Sequence, residues 1–516
     1  MNVDRRRYRA PKIARIVFGL AAAALGGCAI GPRFKAPGPP PVTRYTHRPS
    51  PSHTVAVHGE AGLAQRFHYG ISPKVRWWQS FRSHSLDALV AAALRVNPTL
   101  AADRAKLLQA RAVVAADEGI FYPQVNADLG AVRTKAPNFG GGGGHLPSIY
   151  SLYTGGLTVS YYPDVFGANR LLYNSASAQA DIARDQLLAA QLTLIGNVAT
   201  SAVLAASDRA QIDATRRIIA SESRLLKLTE VQYHAGAVPY LAVVNQESQL
   251  ATSRAALPAL LQQLALERYT LATLIGRFPA QWHPLHLQLS KWHLPRNIPV
   301  SLPSVLARRR PDIRAATDEL RYANAQIGLA DAQFYPIVQL TGSIGQESLT
   351  VSHFFNPAST VWSVGASLLA PLFHGGTLRA QRREALELYA GARATYEQTV
   401  LGAFQQVAGS LRALDHDAQS LADERAAYDA SREALKLARE SYRAGAIDSL
   451  SLLTTEALYS QSRIAYVRAK AQRYLDTVGL YTALGGGPLT ASDARPKSRS
   501  AHSSSVSTVT SQRNAP

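Results

Sequence analysis

Residues 400–446 read VLGAFQQVAGSLRALDHDAQSLADERAAYDASREALKLARESYRAGA, and this stretch decides the fold. It contains no proline and ends in one turn signal, Tyr442-Arg443-Ala444-Gly445-Ala446. Apolar or small residues recur at alternating steps of four and three, as in the seam of a coiled coil: Val400, Phe404, Val407, Leu411, Leu414, Ala418 and Leu421. One face of this helix is therefore made to pack on another helix.

The surrounding residues 372–487 also lack proline and predict a long helical hairpin. Its long helix should cover about 375–443 and its return helix about 446–484. At about 1.5 Å per residue the long helix would span roughly 100 Å, which exceeds an ordinary domain. Because the return helix is much shorter, part of the long helix needs another partner, which a predicted helix over about 313–331 can supply.

The same design occurs earlier in the chain. A matching seam lies 212 residues upstream, at Leu188, Leu192, Ile195, Ala199, Ala202 and Ala206. A matching turn, Tyr233-His234-Ala235-Gly236-Ala237, lies 209 residues upstream. The chain is thus a tandem duplication in which each copy is a complete structural element. The first repeat is predicted over 76–295, with a long helix over about 167–234 and a return helix over about 238–275, and the second over 296–487.

Each copy also predicts two strands in which apolar and polar residues alternate: about 125–133, 152–161, 337–346 and 361–369. Strands of about nine to eleven residues are long enough to cross a membrane as part of a barrel. Four strands cannot close a barrel, which needs about eight, and their edges would stay unpaired in a membrane. The predicted fold is therefore mainly α with a membrane β-barrel that is completed by oligomerisation. A soluble sandwich fits less well, because two isolated hairpins give no second sheet.

The N-terminus predicts an export signal over residues 1–27: six basic residues precede a short apolar run and small residues. Leu25-Gly26-Gly27-Cys28 resembles a bacterial lipobox, in which the cysteine becomes the acylated N-terminus. Ala29 after it resembles sorting to the outer membrane. Residues 28–75 are predicted to be a proline-rich, extended, lipidated tether, and residues 488–516 a disordered tail.

The net charge of +20 raises the question of nucleic acid binding. No basic helix, zinc motif or aromatic-interleaved basic strand accompanies the charge, so no nucleic acid partner is expected. An enzyme is not expected either, since the sequence has no His-Glu-x-x-His, no Gly-x-Ser-x-Gly and no clustered histidines or cysteines. No catalytic residue, metal or cofactor is predicted.

The chain resembles the outer-membrane efflux channel family of TolC and OprM, in particular its NodT-like lipoprotein branch, over about residues 28–487. The stretch 28–37, CAIGPRFKAP, resembles the mature start of that branch. The most specific stretch is 308–315, RRRPDIRA, which leads through Ala325-Gln326-Ile327-Gly328 to Phe334-Tyr335-Pro336.

The resemblance implies a homotrimer with a twelve-stranded barrel in the outer membrane and a twelve-helix periplasmic tunnel. It also implies a periplasmic adaptor (membrane fusion protein) and an inner-membrane pump, with the RND class favoured. The function implied is passive exit of drugs or other small molecules. A duct for type I protein secretion, a structural tether and a periplasmic lipoprotein enzyme are the alternatives.

The two turns are implied to form the periplasmic tip that meets the adaptor, through Tyr233, Gly236, Tyr442 and Gly445. We expect φ above zero at or beside both glycines, because a helix that reverses within a few residues usually ends on a left-handed residue.

The candidate pore constriction comprises Asn245, Thr454 and Glu456. The family often carries an aspartate where this chain has Thr454, so the resemblance does not imply a gate built on that acid here. Glu456 could supply charge nearby, or could simply be an exposed helix carboxylate.

Overall fold

The structure is a computed structural model that describes residues 30–47, 52–59, 61–135 and 149–487. The predicted export signal 1–27, the predicted lipidation site Cys28 and the predicted disordered tail 488–516 lie outside the described residues. The helices are α1 His84–Val96, α2 Pro98–Glu118, α3 Ala168–His234, α4 Tyr240–Leu274, α5 Pro303–Arg309, α6 Pro311–Ala332, α7 Thr377–Arg443 and α8 Ser449–Ala483. The strands are β1 Arg66–Tyr69, β2 Gln124–Lys135, β3 Ile149–Tyr161, β4 Asn297–Val300, β5 Ile337–Ser348 and β6 Thr360–Leu369.

The predicted coiled-coil seams are buried. On α3 every predicted seam residue is buried, and on α7 every one except the half-buried Phe404. Helix α3 contains an 18-residue window apolar enough to cross a membrane, but 67% of that window is buried in the fold. Its hydrophobicity is therefore that of a core helix.

The ends of the second hairpin depend on local chemistry. Helix α7 begins at Thr377, directly after two glycines in the left-handed region, Gly375 at φ +55° and Gly376 at φ +91°, a conformation that cannot continue into the helix. Helix α8 begins at Ser449, three residues later than expected. The Asp448 side chain explains this start, since it accepts a hydrogen bond from the Ser451 backbone N–H and caps the helix.

The four long strands form one antiparallel sheet in the order β2-β3-β5-β6. The expectation of two isolated hairpins is wrong, because β3 pairs with β5 and joins the strand pairs of the two repeats. Strands β2, β3 and β5 contain twelve or thirteen residues, more than the expected nine to eleven, whereas β6 contains ten. In the single chain the sheet is open, with β2 and β6 as its edges.

The junction between β3 and β5 is built on glycine. Gly156 lies opposite Gly345 in the ladder. A Cβ atom on Gly345 would lie 2.5 Å from the carbonyl oxygen of Gly155 and 2.9 Å from the Cα of Gly156. Because both atoms belong to the backbone, a side chain here would force the two strands apart.

One compact unit consists of the described parts of 30–47, 102–189 and 302–406. Two small apolar clusters join α6 to α7, one at Ile327, Ala330 and Ala385, the other at Ile313, Val400 and Ala403. Helix α6 is also tied to α3 by a network of ion pairs, formed by Asp181, Asp185, Asp318, Arg184, Arg314 and Arg321.

The other compact unit consists of the described parts of 48–101, 190–301 and 407–487. Trp77, which opens the fold, stacks on Tyr481 with 5.2 Å between ring centroids. Both units take parts from both repeats, so the compact units do not follow the predicted boundaries at 76–295 and 296–487.

The proline-rich segment is not a free tether. In its first part, the Asn324 side chain donates a hydrogen bond to the carbonyl of Pro32 at 2.8 Å. In its second part, β1 pairs in parallel with β4, a two-stranded sheet that the sequence did not predict. Gln65, just before β1, is fully buried and accepts a hydrogen bond from Arg473 at 2.9 Å.

Candidate functional site: the helical turns and the membrane sheet

The two turns share one backbone design. Gly236 has φ +72° and Gly445 has φ +73°, which confirms the predicted left-handed glycines. In each turn the glycine N–H donates to the carbonyl three residues earlier, at 2.9 and 3.1 Å. The following alanine N–H donates to the carbonyl five residues earlier, at 2.8 Å in both. This is the Schellman ending of a helix, and it depends on the left-handed residue.

The two turn tyrosines occupy different environments. Tyr233 is 39% exposed and packs against Tyr240 with the two rings tilted by 49° and 5.3 Å between their centroids. Tyr442 is only 8% exposed, and its hydroxyl donates to Gln232 Oε1 at 2.6 Å. Burial raises the pKa of Tyr442, although its hydrogen bonds with Thr229 and Gln232 lower it in part. Tyr442 is thus a packing residue of the chain, and only Tyr233 offers an exposed ring, contrary to the prediction that treated them alike.

The three predicted constriction residues are not joined by any hydrogen bond or ion pair among the described residues. Asn245 is half-buried on α4. Thr454 is exposed on α8, and its hydroxyl donates to the carbonyl of Leu450 in its own helix. Glu456 is only 3% exposed, so its interpretation as an exposed helix carboxylate is wrong.

Glu456 is buried because an arginine from α7 reaches it. Arg439 Nη2 donates to Glu456 Oε1 at 2.8 Å and to Ser221 Oγ on α3 at 2.6 Å. Glu222, one residue further along α3, is also buried and accepts from Ser253 Oγ at 3.0 Å. Burial raises the pKa of Glu222, its hydrogen bonds lower it, and the charge of Glu456 raises it again.

This polar cluster borders a cavity of about 320 Å3 with a strongly basic lining, which includes Arg217, Arg224, Arg432, Lys436, Arg439 and Arg463. Sequence reasoning missed Glu222 and Arg439. It did name Glu456, as a candidate constriction residue, but not the partners that bury it. The cluster holds parts of α3, α7 and α8 together a few turns before the chain reverses.

The exposed side chains of the four-stranded sheet have the alternating polarity of a membrane barrel. On β2 the large exposed residues Val125 and Leu129 alternate with Asn126 and Asp128. The other strands also expose large apolar side chains: Ile149, Leu157, Val159, Ile337, Leu340, Ile344, Val361, Trp362, Val364, Leu368 and Leu369. Most of these residues share one face of the sheet, since the register places Leu340, Ile344, Trp362, Val364 and Leu368 on the same side. Soluble monomers rarely expose so many large apolar side chains together, whereas barrel strands direct such residues at lipid.

No group of three or more metal-binding side chains occurs in the parts of the chain that the structure describes.

Comparison with known proteins agrees with this geometry. The chain matches the family described as "Outer membrane efflux protein" over residues 89–277 and 302–486. It is 31% identical to outer membrane protein OprJ of Pseudomonas aeruginosa over 91% of this chain and 95% of that protein. It is 30% identical to nodulation protein T of Rhizobium leguminosarum bv. viciae, over 80% of this chain and 84% of that protein, which confirms the resemblance to that branch.

Among solved structures, the outer-membrane channel OprN superposes with a TM-score of 0.79 at 28% identity, covering 89% of this chain and 99% of that one. The structural neighbours are trimeric channels with a helical periplasmic barrel, so the open sheet described above is one chain's share of a barrel. The chain is located in the outer membrane and works with the components of a pump. It belongs to the outer membrane efflux protein family, and it serves as an outer-membrane exit duct for efflux.

Proposed function

We propose that three copies of this chain close their sheets into a twelve-stranded barrel, through which drugs or other small molecules leave passively. The observation that carries this proposal is the open four-stranded sheet, whose edge strands β2 and β6 have unpaired backbone groups. Unpaired N–H and C=O groups cost several kcal/mol each in hydrocarbon, so an edge must be paired there. Pairing β2 of one copy with β6 of the next satisfies both edges.

The energy for transport would come from an inner-membrane pump, with the RND class favoured, through a periplasmic adaptor. We assign no catalytic step to this chain. The glycine turns at Gly236 and Gly445 would form the surface that meets the adaptor, together with the exposed ring of Tyr233. Tyr442 would support that surface from within, since its hydroxyl holds Gln232 on the neighbouring helix.

Thr454, Asn245 and Glu456 remain our proposed constriction residues, with unequal roles. Thr454 is exposed and can face an aqueous channel in the trimer. Glu456 is held by Arg439 within its own chain, so it would act by keeping α7 and α8 in place.

We also propose that Cys28 is acylated and anchors the chain to the outer membrane. Gly31, three residues later, packs so closely on α6 that a Cβ atom there would lie 2.6 Å from the Cα of Gly328. The N–H of Ile30 donates to the carbonyl of Phe166, shortly after the end of β3, at 3.4 Å. Two residues span at most about 7 Å. These contacts would therefore keep an acylated Cys28 close to the end of β3.

Changing Cys28→Ala should abolish the incorporation of a radioactive fatty acid into the protein. The reason is that the cysteine sulfur is the attachment point of the lipid. The barrel would still hold the variant in the membrane, so we expect partial efflux activity to remain. Labelling of wild-type and variant proteins in growing cells makes the measurement, and equal labelling of both would disprove lipidation at this residue.

A further inference from the structure

An arginine-rich cavity lies in the compact unit that contains the sheet. Its volume is about 780 Å3, and its lining includes Arg379, Arg382 and Arg383 from the start of α7. Phe334 and Tyr335, which immediately precede β5, form the aromatic part of the lining. We name this cavity the junction site, because it lies where helices α6 and α7 meet their strands.

The positive charge of the junction site is only partly compensated. Arg382 Nε donates to Asp331 Oδ1 at 2.6 Å, and Asp331 is the one acidic residue in the lining. Among the described residues, Arg379 and Arg383 make no hydrogen bond or ion pair, and both are exposed. Two guanidinium groups are therefore available for an anion from outside the chain.

The sequence around the junction site indicates its depth in the membrane. Leu372 and Phe373, between β6 and α7, are 96% and 89% exposed, and Phe334 and Tyr335 are also exposed. Exposed aromatic and apolar residues at strand ends mark the boundary of the hydrocarbon layer in membrane barrels. Arg379 lies six residues after Phe373, in the first turn of α7. In the proposed barrel the arginines would therefore lie at the level of the lipid headgroups.

We propose that the junction site binds the phosphate of an anionic phospholipid in the periplasmic leaflet of the outer membrane. Arg379 and Arg383 would hold the phosphate oxygens through paired N–H donors, a geometry in which arginine excels. Phe334 and Tyr335 would contact the glycerol and the first methylene groups. A free phosphate ion would fill little of the cavity, whereas a headgroup with the start of its chains fits the size of ordinary ligand sites.

The proposal rests on the proposed barrel, with the junction site on its lipid-facing side, and not on acylation of Cys28. Ile30 also lines the junction site and lies two residues after Cys28. If Cys28 is acylated, its chains enter the same leaflet beside the bound phospholipid.

Native mass spectrometry of the purified full-length protein in mild detergent tests the proposal. The probes are phosphatidylglycerol and phosphatidylethanolamine with identical acyl chains. An arginine near an anionic lipid surface contributes about fivefold in affinity, so the double variant Arg379→Gln, Arg383→Gln should bind phosphatidylglycerol roughly 25-fold more weakly than wild type. The control Arg111→Gln, Arg393→Gln removes the same charge outside the junction site and should bind like wild type.

Phosphatidylglycerol should bind the wild-type protein more tightly than phosphatidylethanolamine, and a large excess of inorganic phosphate should not displace it. Equal binding of the two lipids would overturn the proposal, as would wild-type binding by the Arg379→Gln, Arg383→Gln variant. Displacement by phosphate would assign the site to a free anion instead. The same spectra report the number of chains and the acyl mass, so failure of this site is distinguishable from failure of the trimer or of lipidation. The comparison of the two lipids needs no variant, and so does not depend on how a variant folds.

Discussion

A Gly236→Val, Gly445→Val double variant should reach the outer membrane at nearly normal abundance and yet lose most of its efflux. Valine in the left-handed region costs roughly 1–2 kcal/mol per turn, because its β-carbon crowds the following carbonyl. Beyond the glycine and its two neighbours in the chain, no atom lies within 4 Å of a Cβ built on either glycine, so the cost is local to the backbone and involves no clash with packed residues. The long buried seams of α3 and α7 tolerate such a loss, and the trimer should assemble.

The turn itself should nevertheless change shape, because its two hydrogen bonds require the left-handed residue. A loss of about 1.4 kcal/mol in adaptor binding already weakens docking tenfold. We therefore expect cross-linking to the adaptor and drug resistance to fall at least about tenfold. The measurements are cross-linking yield and drug resistance in cells that contain equal amounts of each protein.

The matched control is Gly236→Asn, Gly445→Asn. Like valine, asparagine adds a side chain at both glycine positions, but it adopts the left-handed conformation readily. It should keep the turn, the cross-link and resistance. Normal resistance in a well-expressed valine variant would mean that these glycines only end the helices and that the adaptor docks elsewhere.

A Gly345→Val variant should lose the assembled channel altogether. The added side chain meets the backbone of Gly155 and Gly156, which cannot rotate away as a flexible side chain could. Overpacking typically costs 1–3 kcal/mol, and in a trimer the cost would arise three times. Because the β3–β5 ladder is what joins the two strand pairs of one chain, the barrel cannot close without it. Heat-resistant trimer on gels and drug resistance should both fall to background.

Gly342→Val provides the control on the same strand. The nearest atom to a Cβ on Gly342 is the carbonyl oxygen of Ser363 at 3.9 Å, an ordinary contact. Its side chain would also share a face with Leu340 and Ile344, the apolar face of β5. The control should assemble normally. Equal amounts of trimer from both variants would show that the close approach at Gly345 does not control barrel closure.

The sequence predicts the helical part of this fold well because the relevant information is local. Around Leu411 and Leu414, apolar residues recur at alternating steps of four and three. This spacing specifies which face of α7 is buried, without any information about the partner helix. The turn signals at Gly236 and Gly445 are equally local, because a tight turn at the end of a helix requires a residue in the left-handed conformation. The four barrel strands could likewise be recognised from their period of two.

Strand pairing and side-chain burial depend on residues that are far apart in the chain. The sequence is less informative about both. The β3–β5 ladder brings residue 156 opposite residue 345, and no short-range pattern indicates that register. Strand β1 is only four residues long and finds its partner β4 far along the chain. Glu456 is buried because Arg439 from another helix neutralises it, and Tyr442 is buried because Gln232 binds its hydroxyl. The duplication suggested equal roles for equivalent residues, but each copy has different neighbours.

The central claim is that the open sheet of one chain is closed by two further copies. The most direct measurement is the native mass of the protein purified in a mild detergent, together with its strand content by circular dichroism. The account predicts a particle of three chains that retains its strands. A stable monomer with the same strand content would contradict it, because the edges of β2 and β6 would then persist without a partner.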